Sequence, residues 1–135
     1  MLEQNLYFAY GANMHPGQMA WRCPNARAHG AFILHNWELK FYNHATIEPK
    51  QGAQVAGVLW DITPECEASL DLFEGYPSYY TKQTWIQDDT QFFFYEMTSP
   101  KSGRPSEGYV LDIRDSYDFW GIPRQRLNHL IYDPA

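Results

Sequence analysis

Glu74 is the residue of this chain whose sequence surroundings best suit acid–base chemistry. Its neighbours along the chain are apolar or aromatic: Leu70, Leu72, Phe73, Tyr76 and Tyr79. A carboxyl held among apolar groups favours its neutral form, so its pKa rises toward the range that is useful for proton transfer. The plain alternative is a solvent-facing glutamate at a helix C-terminus, although the negative end of the helix dipole disfavours a charge there.

The short loop of Gly11, Ala12 and Asn13 is a second candidate for chemistry. It follows an apolar and aromatic run, residues 6–10, that is typical of a buried strand. Glycine permits close approaches and backbone angles that other residues do not, and asparagine favours turns. A buried strand that runs into such a loop leaves backbone N–H groups unpaired, and these groups can bind an anion or a polarised carbonyl. An ordinary strand followed by a turn is the alternative for the same residues.

The helix that carries Glu74 has recognisable limits. Thr63 is a suitable N-cap, and Pro64 suits the first helical position. Gly75 is a typical residue at a helix end. The sequence therefore predicts a helix that begins after Thr63 and ends at Gly75, with Glu74 in its last turn.

One face of this helix is expected to point inward. Cys66, Leu70 and Phe73 lie four and three residues apart, which places them on a single helical face. Glu74 lies one residue beyond that face.

The remaining elements are mostly strands, which must hold the helix and the loop together. The pattern predicts strands over 26–30, 31–42, 54–61, 79–87 and 91–98, loops over 43–52 and 100–105, a helical turn over 18–21, and short helices over 115–120 and 124–131. Many strands with one middle helix and a helical end indicate an α+β fold. We expect a small mixed β-barrel, closed or half-closed, with a few short helices.

Composition limits the class of protein. The chain has 135 residues, of which 44% are hydrophobic and 17% aromatic, so we expect one folded domain over residues 1–135. The formal net charge of −6 argues against a general nucleic-acid binder and against an anionic membrane surface. No apolar run approaches the length of a membrane span.

The two cysteines and five histidines give no metal or disulfide pattern. Cys23 and Cys66 can form one bridge, but such a sparse count is unlike a secreted disulfide scaffold. We therefore expect a reducing, cytoplasmic location and a core role for Cys66. The histidines have no metal-ligand spacing, so no metal site is expected. They are His15, His29, His35, His44 and His129.

Three segments carry a resemblance to a known family. The segment Tyr10–Asn13 resembles the Tyr-Gly-Ser-Asn signature of gamma-glutamylcyclotransferase-like proteins. Residues 70–80 are similar to that family's Leu-Asp-x-x-Glu-Gly segment with a tyrosine a few residues on. Residues 57–63 are similar to the strand that precedes its central helix. The three segments occur in the family's order and span nearly the whole chain.

The resemblance implies a fold, an activity and a set of site residues. The fold is the gamma-glutamylcyclotransferase-like fold, and the activity is cyclisation of a gamma-glutamyl group to 5-oxoproline with release of an amino acid or amine. Glu74 matches the family's general acid/base. Backbone amides of the Gly11–Asn13 loop are candidates for holding the substrate carboxylate or the negative oxygen of the intermediate. No cofactor is implied, and the partner is a small gamma-glutamyl molecule.

Tyrosines complete the implied site. Tyr10 and Tyr80 match positions that line the family's pocket, and their hydroxyls are candidates for bonds to the substrate. Tyr109 is a further candidate, for which aromatic core packing is an equal alternative.

One departure from the family pattern leaves alternatives open. Ala12 lies where the family usually has serine, and this matters only if the serine hydroxyl is used. A non-catalytic binding or interaction module on the same fold is the alternative that this change supports. A different hydrolase or transferase of amide bonds is a weaker one. The leaving amine and the oligomeric state, a monomer or a small homo-oligomer, stay open.

Overall fold

The computed structural model describes residues 5–100 and 103–127. Five strands, three α-helices and a short 3-10 turn follow one another along these residues. In chain order they are β1 (Asn5–Ala9), the 3-10 turn (Ala12–Met14), α1 (Pro16–Arg22), β2 (Arg27–Phe41), β3 (Ala45–Ile62), α2 (Pro64–Glu74), β4 (Tyr80–Gln87), β5 (Thr90–Met97) and α3 (Glu107–Trp120). The expected α+β class is confirmed.

The five strands form one mixed sheet in the order β2-β3-β1-β5-β4. Strand β1 lies in the middle, antiparallel to β3 and parallel to β5, with Tyr7 opposite both Trp60 and Phe93. Long antiparallel hairpins, β2–β3 and β4–β5, flank it. The run that ends in the Gly11–Asn13 loop is therefore the centre of the sheet, and its side chains are buried.

The sheet curls until its two edge strands touch through side chains. Gln87 of β4 accepts a hydrogen bond from the backbone N–H of His35 at 2.9 Å and donates one to the carbonyl of Ile33 at 2.8 Å. Trp37 of β2 packs edge-on against Trp85 of β4, with ring centroids 5.3 Å apart. No backbone ladder joins β2 to β4 in the described residues, so the barrel is half-closed.

The loop predicted over residues 43–52 is wrong. Strand β3 begins at Ala45 and pairs with β2 up to Pro49, which lies opposite Trp37, and again from Gln54 to Asp61 after an irregular stretch. Pairing with β1 begins only at Val58, so the first part of β3 has β2 as its partner in the sheet and proline is tolerated there. The predicted division of β2 into two strands is also wrong, because a bulge between Ala28 and Gly30 leaves the strand continuous.

Helix α2 follows its predicted limits. The hydroxyl oxygen of Thr63 accepts a hydrogen bond from the N–H of Cys66, and Gly75 ends the helix in the left-handed region with φ of 65°. Cys66 and Leu70 are buried as predicted, but Phe73 is half exposed. The buried face of α2 therefore ends at Leu70, about one turn earlier than predicted.

The C-terminal helix is longer than predicted. Helix α3 begins at Glu107, with the hydroxyl of Ser106 accepting from the N–H of Tyr109, and it buries Val110, Ile113 and Tyr117. The three- and four-residue spacing of these side chains is the signal that was missed. Residues 125–127 are helical, and the rest of the predicted helix over 124–131 lies outside the described residues.

A disulfide joins the end of α1 to α2. Cys23 and Cys66 are bonded, with their Cα atoms 5.0 Å apart and both side chains buried. Cys66 is a core residue as expected, and its bond to Cys23 is the one bridge that two cysteines allow. Of the described helices, none is long and apolar enough to cross a membrane.

Candidate active site

A cavity of about 170 Å³ opens where the end of β1, the end of α2, the β2–β3 turn and the start of α3 meet. Aromatic rings form most of its wall, and one carboxyl group lines it. The lining residues are Tyr7, Tyr10, Gly11, Ala12, Asn13, His44, Ala45, Phe73, Glu74, Tyr79, Tyr80, Tyr95 and Tyr109. Every site residue predicted from the sequence lines this one cavity.

The pKa of the Glu74 carboxyl is raised well above its ordinary value. The residue as a whole is half-buried, but its carboxyl end is enclosed by protein atoms. Desolvation by this enclosure raises the pKa of Glu74 to about 7, and the charge of Arg22 lowers it by less. Such a group exchanges a proton readily at neutral pH.

The groups that surround the Glu74 carboxyl match the expected ones only in part. Leu72 is 85% exposed and does not line the cavity, whereas Phe73 and Tyr79 line it together with Glu74. The other lining groups come from other elements. Burial raises the pKa of the Tyr7 and Tyr10 hydroxyls and of other cavity tyrosines. The negative charge of Glu74 raises the pKa of each hydroxyl further, by a smaller amount.

Asn13 connects the loop to the carboxyl. Its side chain is buried, and Nδ2 lies 3.1 Å from the hydroxyl of Tyr7 and 3.5 Å from Oε1 of Glu74. The amide therefore donates toward both groups at the inner wall of the cavity. This contact fixes the position of the Gly11–Asn13 loop relative to the end of α2.

The loop itself presents backbone donors. Ala12 and Asn13 begin the 3-10 turn, so their N–H groups have no acceptor within that turn. Gly11 is needed here for space, because a Cβ atom at this position would lie 3.1 Å from the Tyr109 hydroxyl. The Ala12 methyl leaves the backbone donor unchanged.

The tyrosine hydroxyls are held by the backbone. Tyr10 donates to the carbonyl of Tyr95 and Tyr80 donates to the carbonyl of Ala45, each at 2.6 Å. These two hydroxyls can therefore only accept a bond from a ligand. The Tyr109 oxygen accepts from the N–H of Ala45 at 3.0 Å, which leaves its own hydrogen free to donate.

Arg22 provides a positive charge behind the cavity wall. Its guanidinium carbon lies 3.5 Å from the centre of the Phe73 ring, and it donates to the side chain of Gln18. The disulfide at the adjacent Cys23 ties this part of α1 to α2. Arg22 is thus fixed close enough to lower the pKa of Glu74.

Six lining residues were not predicted as site residues: Tyr7, His44, Ala45, Phe73, Tyr79 and Tyr95. Tyr7 and Tyr95 belong to β1 and β5, and their rings meet edge-on with centroids 5.7 Å apart. His44 and Tyr79 lie at the opening, where Nδ1 of His44 is 3.2 Å from the Tyr79 hydroxyl. The strand order brings Tyr7, Tyr95 and His44 together, so no local sequence signal indicates these three residues.

The arrangement defines a class of site. One carboxyl that titrates near neutrality, neutral phenol groups and backbone N–H donors share a small cavity, as acyl transfer by general acid–base catalysis requires. Within the described residues, no group of three or more histidine, cysteine or acidic side chains is placed to hold a metal ion.

Comparison with known proteins assigns the chain to a family. The family model described as gamma-glutamyl cyclotransferase, AIG2-like, matches residues 7–116, and the chain belongs to this family. It is 30% identical over 125 residues to gamma-glutamylcyclotransferase of Bos taurus. That alignment covers 79% of this chain and 66% of the bovine protein, so the chain spans about two thirds of that relative.

Two solved structures share the fold. One, named gamma-glutamyl cyclotransferase, is 27% identical, with a TM-score of 0.84 over 95% of this chain and 86% of that one. The other is a human protein described as uncharacterized, 27% identical, with a TM-score of 0.85 over 99% of this chain and 92% of that one. The expected family and fold are confirmed.

Proposed function

We propose that this protein cyclises the gamma-glutamyl group of a gamma-glutamyl amino acid or amine to 5-oxoproline and releases the amine. The observation that carries the proposal is the enclosed carboxyl of Glu74, with a pKa of about 7, facing Asn13 in an aromatic cavity. Family membership supports the same class of activity.

Glu74 acts as general base and then as general acid. The substrate's α-ammonium loses a proton to the Glu74 carboxylate, and the freed amine attacks the substrate's own γ-carbonyl carbon. The tetrahedral intermediate then expels the amide nitrogen, which takes this proton back from Glu74 as it leaves. The attacking nitrogen loses a second proton as the lactam forms, and the released amine takes it up to become an ammonium. One carboxyl with a pKa near neutrality serves both steps.

The loop after β1 stabilises negative charge. The N–H groups of Ala12 and Asn13 and the free hydrogen of Tyr109 are the donors for the substrate's α-carboxylate and for the intermediate's oxygen. The oxygens of Tyr10 and Tyr80 can accept from the ammonium, because their own hydrogens are engaged by backbone carbonyls. Since the attack is intramolecular, holding the substrate folded provides much of the acceleration.

A panel of gamma-glutamyl compounds, with 5-oxoproline as the measured product, tests the proposal. Turnover of at least one member by folded protein is the expected result. Absence of product from every member would overturn it. Ligand-induced thermal stabilisation without turnover would favour the non-catalytic binding module, for which the Ala12 methyl is the supporting observation.

A further inference from the structure

The cavity has one wall with no part in the proposed proton transfer. His44 lies in the turn between β2 and β3 and Tyr79 immediately before β4, and both are exposed at the cavity opening. Of the described residues that line the cavity, His44 is the one able to carry a positive charge. Because His44 is exposed and the Glu74 carboxyl is enclosed, His44 is available to a different part of the substrate.

The His44 ring is held in a fixed position. It packs edge-on against Tyr109, with ring centroids 5.4 Å apart, and its Nδ1 atom contacts the Tyr79 hydroxyl at 3.2 Å. The backbone of Tyr79 is fixed by bonds to Gly75 and Thr98. A ring that is held in place before a ligand arrives loses little freedom on binding.

The His44–Tyr79 pair always offers a hydrogen-bond donor. A neutral ring with its hydrogen on Nε2 accepts from the Tyr79 hydroxyl at Nδ1 and presents the Nε2 hydrogen. A neutral ring with its hydrogen on Nδ1 donates to that hydroxyl, whose own hydrogen is then free. In the charged ring Nδ1 donates to the hydroxyl, and both the hydroxyl and Nε2 then present hydrogens. Among the described residues Nε2 has no partner. An acceptor-only ligand group, such as a carboxylate, matches this pair in either state.

The proposed chemistry fixes which end of the substrate reaches this pair. The α-ammonium must lie beside Glu74 and the α-carboxylate or carbonyl oxygen beside the Gly11–Asn13 loop, both at the buried wall. The leaving group is bonded to the other side of the γ-carbonyl and therefore extends toward the opening. His44 and Tyr79 lie there.

We propose that His44 and Tyr79 bind the carboxylate of the leaving group, so that the preferred substrates are gamma-glutamyl amino acids and not gamma-glutamyl amines. The inference rests on the proposed cyclisation and names the substrate class of the same site. His44 and Tyr79 are specificity-determining residues in this scheme, and the bonds to the leaving carboxylate hold the scissile amide over Glu74.

A matched pair of substrates tests the proposal. Gamma-glutamylalanine and gamma-glutamylethylamine differ only in the carboxylate of the leaving group. We expect kcat/KM of the unchanged protein to be about tenfold to a hundredfold higher for the alanine compound, as for one hydrogen bond to a charged group. His44→Ala should bring this ratio close to one, and His44→Gln, which keeps an N–H donor, should retain part of it.

Controls separate recognition from folding. His29, an exposed histidine of β2 outside the cavity, provides a matched change, and His29→Ala should keep the full ratio. Tyr79→Phe keeps the ring and removes the hydroxyl, so its ratio should fall between those of the unchanged protein and His44→Ala. Thermal unfolding of each variant establishes that it is folded.

The outcomes distinguish the two proposals. If neither compound yields 5-oxoproline, the cyclisation fails and the leaving-group inference fails with it. If both compounds react in the unchanged protein with equal kcat/KM, only the leaving-group inference is overturned. If His44→Ala lowered kcat/KM equally for both substrates, His44 would act on the glutamyl half of the substrate. That result would also overturn the leaving-group inference.

Discussion

Two carboxyl groups three residues apart on α2 have opposite surroundings. Asp71 accepts a hydrogen bond from the Tyr95 hydroxyl at 2.6 Å and lies 3.0 Å from the ammonium of Lys82. Lys82 also pairs with Glu67 at 2.5 Å, so the charge of Asp71 is compensated within a network. Among the described residues, the Glu74 carboxyl accepts one hydrogen bond, from the amide of Asn13 at 3.5 Å, and the charge of Arg22 lowers its pKa.

The comparison shows how one helix separates a structural carboxyl from a reactive one. A carboxylate with a cation and a hydroxyl donor is stable in its charged form. An enclosed carboxyl without such partners is poised to gain or lose a proton. Tyr95 joins the two environments, because its hydroxyl binds Asp71 while the residue lines the cavity that Glu74 faces.

The largest expected effect is on the activity of Glu74→Gln. Removing the group that moves both protons should lower kcat by about 10²–10⁴-fold, with the fold unchanged. The measurement is 5-oxoproline formation on the best substrate of the panel. Asp71→Asn serves as the matched amide substitution one turn away, and it should lower kcat by less than about tenfold. If Glu74→Gln retained its activity, Glu74 could not be the general acid/base.

Glu74→Gln should also stabilise the protein, but only at high pH. The folded pKa of about 7 lies above the ordinary value of 4.5, so the folded state loses stability as pH rises between them. The loss amounts to about 3 kcal/mol above pH 7. Glutamine stays neutral, so the variant's unfolding temperature should exceed that of the unchanged protein by several degrees at pH 8.

The same comparison at pH 4 is the control. Both Glu74 and its replacement are then neutral, and the two unfolding temperatures should agree. A stabilising effect of equal size at both pH values would contradict the raised pKa.

Asp71→Ala should destabilise the fold more than it impairs catalysis. It leaves the Tyr95 hydroxyl and part of the Lys82 charge without a partner, which costs about 1–3 kcal/mol of unfolding free energy. Denaturant unfolding measures this loss. Asp71→Asn keeps an acceptor for Tyr95 and should lose less. A stable Asp71→Ala variant with no activity would place Asp71 in the chemistry and remove the distinction from Glu74.

The smallest effect is expected at Arg22. In the unchanged protein kcat/KM should rise with pH through about 7, because the ionised Glu74 is the base that takes the first proton. Arg22→Gln removes the charge that lowers the pKa of Glu74, so the midpoint should move upward by up to about one unit. Arg22→Lys keeps the charge and should move it less. A downward shift in Arg22→Gln would contradict this electrostatic role.

Local sequence signals were sufficient for the helix that carries Glu74. Thr63, Pro64 and Gly75 set its limits through bonds and backbone angles within a few residues, which the chain order alone specifies. The buried run before Gly11 was predicted for the same kind of reason, since its apolar side chains are consecutive. The three family-like segments indicated the fold and a common site.

The strands around residues 43–52 show where local signals fail. Pro49 and Gly52 are typical of loops, yet both lie in β3. Pro49 is paired opposite Trp37 of β2, while Gly52, with φ of 85°, lies in the irregular stretch of the pairing between Pro49 and Gln54. Likewise, Leu72 is apolar but 85% exposed, although its residue type alone would favour burial. Burial and strand pairing depend on contacts with residues that are far away in the sequence. The type of a residue does not by itself specify those contacts.

The sequence by itself determined the Glu74 helix, the loop after β1 and the family. Tertiary structure alone decided which groups enclose Glu74, that Cys23 meets Cys66, and that His44 and Tyr79 form the opening of the cavity. The physical reason is the distance along the chain over which each kind of interaction acts. Caps and turns act between near neighbours in the chain, whereas desolvation and the meeting of side chains depend on how the curled sheet brings remote segments together.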